Sequence, residues 1–266
     1  MDTLPDQREV HVWFVELEAS VASVEACRRS LSGDESERAS RFCSERLGTA
    51  FTLSRGILRV LLGRYLAIEP NSIRFAYGAR GKPRLSFTET PLEFNLAHSR
   101  RLATYAFAVG CELGVDIEEV RPIPDQEDIV RRLFSREECA EWLGLDLSQR
   151  DEAFFHCWTR KEAYIKALGD GLSVPLDSFR VSLGPGVPAA LIHAAGDPGA
   201  AGKWSLCSLA PGAGYIGSLA FPERGRTVRT LPRLTADAVL ELARGPGPFP
   251  PASSDTVGRL RWSNPG

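Results

Sequence analysis

The stretch Phe154–Leu168, FFHCWTRKEAYIKAL, decides how the rest of this 266-residue chain is read. It holds neither Gly nor Pro and is rich in good helix formers, so it predicts a helix. Gly169 ends that helix where a left-handed residue is wanted, and Asp151 or Ser148 is the expected cap at its start. At about 100° per residue, Phe154, Trp158, Ile165 and Leu168 share an inward face. Glu162 and Lys166 stand one turn apart on a neighbouring face beside Thr159, a spacing that is commonly just a solvated ion pair. Lys161 falls inside the apolar arc, where a lysine either snorkels outward along its stem or meets a buried anion.

Upstream of this helix, Ser135–Leu143 reads as a short helix capped by Ser135 with Glu138 at the box position, and Asp128–Leu133 as another. Before them, Leu113–Val120 (LGVDIEEV) alternates as a strand. Val115 and Ile117 point one way, Asp116 and Glu118 the other, about 7 Å apart. Acids are poor strand formers, so two on one face need a reason. Two reasons stay open: a solvent-facing sheet surface, or a hard divalent cation such as Mg²⁺ taking a few carboxylates together with substrate phosphate oxygens. Leu102–Val109 is a strand, and Ala97–His98–Ser99 before it reads as a loop whose histidine is more often structural than catalytic. Ala50–Leu66 is an amphipathic helix with Arg55 and Arg59 four apart, either solvated or clamping a phosphate. Val10–Leu17 and Ile73–Tyr77 read as strands. Glu25–Arg46 reads as helical with a break at Ser32–Gly33–Asp34. Gly78–Pro83 (GARGKP) is a turn with Lys82 near its tip.

Downstream, Gly169–Pro175 is a glycine-bearing loop, and Asp177–Leu183, Trp204–Leu209 and Tyr215–Ala220 are strands around the loop-rich Gly184–Gly202. The globular part is expected to end near Phe221–Pro222. Beyond Glu223 come one short helix, Ala236–Ala243, and a Gly/Pro-rich tail expected to stay disordered. The fold class is α+β: two similar halves, residues 1–110 and 111–222, each a small antiparallel sheet with packed helices, followed by a mostly disordered tail, 223–266.

Composition narrows the function classes. A formal net charge of -2 excludes a broadly basic nucleic-acid binder. Six cysteines without CxxC or zinc spacing read as reduced thiols of a cytosolic protein. The first residues carry acids rather than the apolar run of a signal peptide, and no apolar stretch approaches the ~20 residues of a membrane span. A cytoplasmic enzyme or binding protein is expected, with neither nucleic acid nor membrane as partner.

Three segments then stand in a fixed order: GKP (Gly81–Pro83) with FNLAHS (Phe94–Ser99), GVDIE (Gly114–Glu118), and FxxxWxxKEAxxKxxGxG from Phe154, continuing as GLSVPLDSF (Gly171–Phe179). Together they resemble the 4′-phosphopantetheinyl transferases of the surfactin-synthetase-activating type, over roughly Val10 to Phe221. The resemblance implies a pseudo-dimer of two α+β halves with coenzyme A in the cleft between them. It also implies transfer of the phosphopantetheine arm to a serine of an apo carrier protein, with release of adenosine 3′,5′-bisphosphate. Family members about half as long form trimers, so this length implies the monomeric type. Carried over by motif, Asp116, Glu118 and Glu162 are implied magnesium ligands, and Glu162 also the acceptor of the serine proton. Lys166 is implied to meet the pyrophosphate, and Lys161 a phosphate or a neighbouring acid. Lys82 and His98 are implied to hold the nucleotide. Two positions depart from the pattern. Ala97 replaces a serine, which removes one hydrogen bond worth ~1 kcal/mol and predicts weaker coenzyme A binding. Ala50 and Phe51 stand where relatives often carry a basic residue, a place Arg46 or Arg55 is expected to fill.

Overall fold

In the computed structural model, which describes residues 4–78, 81–86, 90–169, 174–223 and 225–244, the chain begins with strand β1 (Glu9–Glu16), entirely buried between its ends. Alternating Val10, Val12 and Phe14 face one side and Trp13 and Val15 the other, so β1 can only be central. Helices α1 (Val21–Ser30) and α2 (Gly33–Ser40) follow. α2 is opened by a capping box in which Ser32 and Glu35 satisfy each other's backbone N–H. α3 (Glu45–Leu66) then crosses the sheet and ends at Ala67 in the left-handed conformation. A two-stranded hairpin, β2 (Phe75–Tyr77) with β3 (Pro83–Leu85), precedes β4 (Leu92–Ser99) and β5 (Leu102–Val109). β4, β5 and β1 pair antiparallel in that order. His98 therefore lies in a strand opposite Ala103, not in a loop.

β6 (Gly114–Glu119) opens a second sheet of order β6-β10-β9, all antiparallel, with β9 at Trp204–Leu209 and β10 at Tyr215–Pro222. Between β6 and β9 come α4 (Gln126–Leu133), α5 (Arg136–Leu143), α6 (Leu147–Leu168), β7 (Phe179–Val181), β8 (Leu191–Ala194) and α7 (Ala200–Lys203). α5 has the expected Ser135–Glu138 box, and Gly169 closes α6 at φ 76°. α6 starts earlier than the sequence suggested, at Leu147 after Asp146, because its first turns pack on α5 where no helix-breaker stands.

Three apolar clusters hold these layers. One lies between the first sheet and α3, one between the second sheet and α6, and the third joins the two sheets face to face through Val10, Val12, Phe14 and Ala106 against Val115, Ile117, Leu219 and Phe221. Val115 and Ile117 thus face the first sheet, and Asp116 and Glu118 face α6. A solvent-facing acid surface is not what β6 presents.

The expected end of the globular part near Phe221–Pro222 is corrected for residues 225–244. β11 (Thr227–Thr230) and β12 (Leu234–Thr235) add to β1 in parallel, which makes the first sheet five-stranded and mixed rather than purely antiparallel. α8 (Ala236–Arg244) docks on α3. Leu231, Ala236, Val239 and Leu240 are buried there. Full burial of such larger aliphatic side chains stabilises by about 1.5–3 kcal/mol each, enough to offset the ordering of a short segment. The expected disorder of the Gly/Pro-rich tail concerns residues outside those described. So do positions 79–80 of the GARGKP turn and 170–173 of the glycine-bearing loop. Among the described residues no helix is long and apolar enough to cross a membrane, and all six cysteines are free.

Candidate active site

The site begins with a glycine. A Cβ on Gly114 would lie 2.1 Å from the carbonyl oxygen of Ala163 and 2.3 Å from the amide nitrogen of Ala167. Only a residue without Cβ lets the α6 backbone descend this far onto β6. The approach brings Lys166 beside Asp116: its Nζ donates to Asp116 Oδ1 at 2.6 Å and to the Val115 carbonyl at 3.3 Å. A second tie, between the hydroxyls of Thr159 and Ser218 at 2.9 Å, fixes α6 over β10. Glu118, two residues along β6, accepts from Ser99 Oγ at 2.7 Å and has Arg121 at 3.5 Å.

Asp116, Glu118, Glu162 and Lys166 line one wall of a cavity of about 490 Å³, with Trp158 beside them. The facing wall comes from the first half of the chain: Arg38 and Phe42 near α2, Phe51, Ser54 and Arg55 on α3, and Leu96, Ala97 and His98 on β4. Larger and smaller spaces adjoin it. One of about 820 Å³, lined in part by Arg46, Arg100, Arg101 and Arg121, shares His98. One of about 210 Å³, lined by Lys82, Pro83 and Asn95 among others, shares Leu96 and Lys166. The three spaces form a row along β4.

Burial pushes the Asp116 carboxyl up to about 7, aided by the charges of Glu118 and Glu162 and opposed by Lys166. Burial also raises Glu162, again with Glu118 adding and Lys166 opposing. Desolvation alone would lower Lys166, but Asp116, Glu162 and Glu118 hold it above its ordinary value, so it stays charged. His98 is lowered by burial and by Lys166, against the pull of Glu118. Burial likewise lowers Arg55, whose guanidinium is packed among the rings of Phe51, Phe75 and Tyr77. Arg55 Nη1 and Asp116 Oδ2 are both buried and find no hydrogen-bond partner among the described residues. Arg55 keeps an ion pair with Glu35 at 3.9 Å through Nε, so what stands free on the two walls is one guanidinium nitrogen and one carboxylate oxygen, which suit a ligand bearing both anionic groups and a bound cation.

The residues fit magnesium in donor chemistry. Three carboxylates supply hard oxygens, and this ion keeps several waters while taking one or two carboxylates and substrate phosphates. Among the described residues no three His, Cys, Asp or Glu side chains converge closely enough to hold an ion by themselves, and Lys166 occupies one oxygen of Asp116.

The structure brings Asp116, Glu118, Glu162, Lys166, His98 and Arg55 to one cavity and leaves two expected residues elsewhere. Lys82 lies on the adjoining small space, tied to Glu112 at 2.9 Å. Lys161 is wholly buried and meets Glu138 Oε2 at 2.7 Å and the carbonyls of Leu176 and Phe179. Of the two partners expected for it, the neighbouring acid is the one present, and it is out of reach of a ligand in the cleft. Arg59 is similarly committed to Glu35 and to the Pro70 and Ile73 carbonyls, so the two arginines of α3 do not act as one clamp. The sequence reading missed Arg38 and Phe42, whose four-residue spacing was the available signal. Trp158 does pack on the inward face against Phe154, as expected, but it is half-buried and also reaches the cavity, which the sequence did not signal.

Residues 112–217, which carry β6, α6 and β10, match the model of the 4'-phosphopantetheinyl transferase superfamily. The chain is 38% identical over 214 residues to the 4'-phosphopantetheinyl transferase HetI of Nostoc sp., covering 80% of this chain and 87% of that protein. It is 34% identical over 154 residues to the 4'-phosphopantetheinyl transferase Sfp of Bacillus subtilis, covering 58% of this chain and 66% of that one. Among solved structures, the holo-[acyl-carrier-protein] synthase of Thermotoga maritima matches 42% of this chain and 63% of its own, at 23% identity and a TM-score of 0.34. The chain belongs to the 4′-phosphopantetheinyl transferase family and is an enzyme of that class.

Proposed function

We propose that this chain, working as a cytoplasmic monomer, moves the 4′-phosphopantetheine arm of coenzyme A onto a serine of an apo carrier protein. The carrier belongs to a polyketide, non-ribosomal peptide or fatty-acid synthase, and the reaction is magnesium-dependent. The observation that carries the reading is the two-walled cavity: three carboxylates and Lys166 from 111–222 face Arg38, Arg55 and His98 from 1–110. We read those two segments as the halves between which coenzyme A lies.

In the transfer, the serine Oγ forms a bond to the phosphorus that bears the pantetheine arm. The bond from that phosphorus to the oxygen of the adenosine-bearing phosphate breaks, and adenosine 3′,5′-bisphosphate leaves with the electron pair. Glu162 takes the serine proton. Burial raises its carboxyl above the ordinary value, which makes it a stronger base than an exposed glutamate. Lys166 lies one turn on and stays charged, so it neutralises the charge gathering on the departing bisphosphate. His98, Arg38 and Arg55 hold phosphate groups from the other wall, and Lys82 serves the nucleotide from the adjoining space. Asp116, Glu118 and Glu162 would hold magnesium, which when bound would supply charge neutralisation to the phosphates.

Intact-mass spectrometry of an apo carrier protein after incubation with the enzyme, coenzyme A and magnesium tests this directly. The carrier is expected to gain the mass of one phosphopantetheine arm, and to gain nothing when a chelator is present. Calorimetric binding of coenzyme A without any gain of mass on any of the three carrier classes would reduce the protein to a binding module.

A further inference from the structure

Behind the smallest of the three spaces lies a charge cluster of which the reaction as described uses Lys82 alone. Lys82 Nζ donates to Glu112 Oε2 at 2.9 Å and to the Leu113 carbonyl at 3.1 Å. The other oxygen of Glu112 meets Arg84 Nη2 at 2.6 Å. Both cations stand on the β2–β3 hairpin, whose strands have three residues each. A two-stranded ribbon of that length is marginal by itself in water, so its position depends on what grips it. Phe75 and Leu85 pack partly against the first core, and Glu112 grips the other side. Glu112 sits just before β6, at the seam between the two sheets.

We infer that Glu112 is a positioning residue for the substrate site: it clasps Lys82 and Arg84 together and fixes the Lys82 ammonium on the small space it shares with Lys166. The Lys82 side chain is only 9% exposed, against 47% for Arg84, so the clasp holds one cation inward and uses the other as an outer brace. An ammonium has three donors in a tetrahedral arrangement. With two of them committed to Glu112 and to the Leu113 carbonyl, the third has a set direction. A lysine on four rotatable carbons otherwise loses considerable side-chain entropy on meeting a ligand, and the clasp removes that loss in advance. Glu93 stands close enough for its carboxyl to be influenced by Glu112, Arg84 and Lys82, although burial is the main cause of its raised pKa. It is another anion within electrostatic reach of the two cations. The inference rests on the reading that this space receives part of coenzyme A.

Calorimetric coenzyme A affinity and steady-state transfer, measured for the whole chain and for Glu112→Gln, Lys82→Ala and the double variant, test the inference. Glu112→Gln is expected to weaken coenzyme A binding and raise KM about tenfold, the worth of one charge-assisted contact, while kcat changes much less. In the Lys82→Ala background the same substitution should add almost nothing, because Glu112 acts through Lys82. Glu112→Asp, which keeps the charge, should recover part of the loss, and Glu93→Gln should leave affinity near the unmodified level. Unchanged affinity in Glu112→Gln, or an equal loss with and without Lys82, would overturn the positioning role alone. Failure of the unmodified chain to bind coenzyme A would overturn the reading of the cleft and the clasp with it.

Discussion

Helix α6 carries two lysine–carboxylate pairs of almost the same length, Lys161–Glu138 at 2.7 Å and Lys166–Asp116 at 2.6 Å, on opposite flanks. The first is closed on every side. Glu138 accepts the amides of Ser135 and Val181, Lys161 donates to two carbonyls, and both side chains are fully buried. The second is open. Asp116 keeps one oxygen without a partner, Lys166 is 29% exposed, and a cavity lies in front of both. Contact length says nothing about the difference; the count of satisfied donors and acceptors says everything. A saturated buried pair fixes a helix, whereas an unsaturated one keeps capacity for a ligand.

The largest expected effect breaks the closed pair. Lys161→Met fits the apolar arc in shape, and the sequence alone suggests that it costs little. The structure reverses that expectation, because the change strands the Glu138 charge, and a broken buried pair costs about 3–5 kcal/mol. Denaturant unfolding of the variant checks this, and an unchanged midpoint would mean that the pair holds nothing. In the fraction that folds, coenzyme A affinity should be kept.

Breaking the open pair should do the opposite. Asp116→Asn is expected to keep the fold and to lower transfer by about 100-fold, as loss of a charge that orders the transition state does. Full activity at ordinary magnesium would remove Asp116 from the site. Lys166→Met comes next: turnover should fall by roughly tenfold or more while calorimetric coenzyme A affinity falls less, since its charge matters most as the bisphosphate leaves. Loss confined to affinity would assign Lys166 to ground-state binding.

The smallest effect is a slope with pH. Asp116 titrates near 7 in the fold, by burial, against an ordinary 3.8, so the folded chain holds a proton that the unfolded chain releases. That contribution to stability is complete below pH about 4 and is lost as pH rises through about 7. Melting temperatures in chelator should therefore decline across that window, and less steeply for Asp116→Asn. Parallel curves would show that the carboxyl is not strained when the site holds no metal.

Features decided by neighbours in sequence were legible: the Ser135–Glu138 box, the stop at Gly169, and the alternation that puts Asp116 and Glu118 on one side of β6. The open pair was within reach because its members belong to motifs. The closed pair was half legible, since Lys161 was visibly out of place, but its partner comes from another helix and no local spacing points to Glu138. Arg59 was misread for the same reason, its acid being Glu35 on α2. The facing wall of Arg38, Phe42 and Phe51 exists only once α2 and α3 are packed. The strands after Pro222 were missed because each is short and pairs with β1 from the far end of the chain, where periodicity carries no signal.

That last pairing orders events in time. Ser20 at the start of α1 donates to Asp237 of α8, 217 positions later, and β11 and β12 lie along β1 itself. At about 5–20 residues per second, a ribosome that has released β1 needs roughly 10 to 40 s to release its last partners. During that interval the second sheet and α6 can assemble as a unit, while the edge of β1 stays open to any other extended chain. The sheet whose central strand is made early is completed last, so the nascent chain is sticky longest at β1.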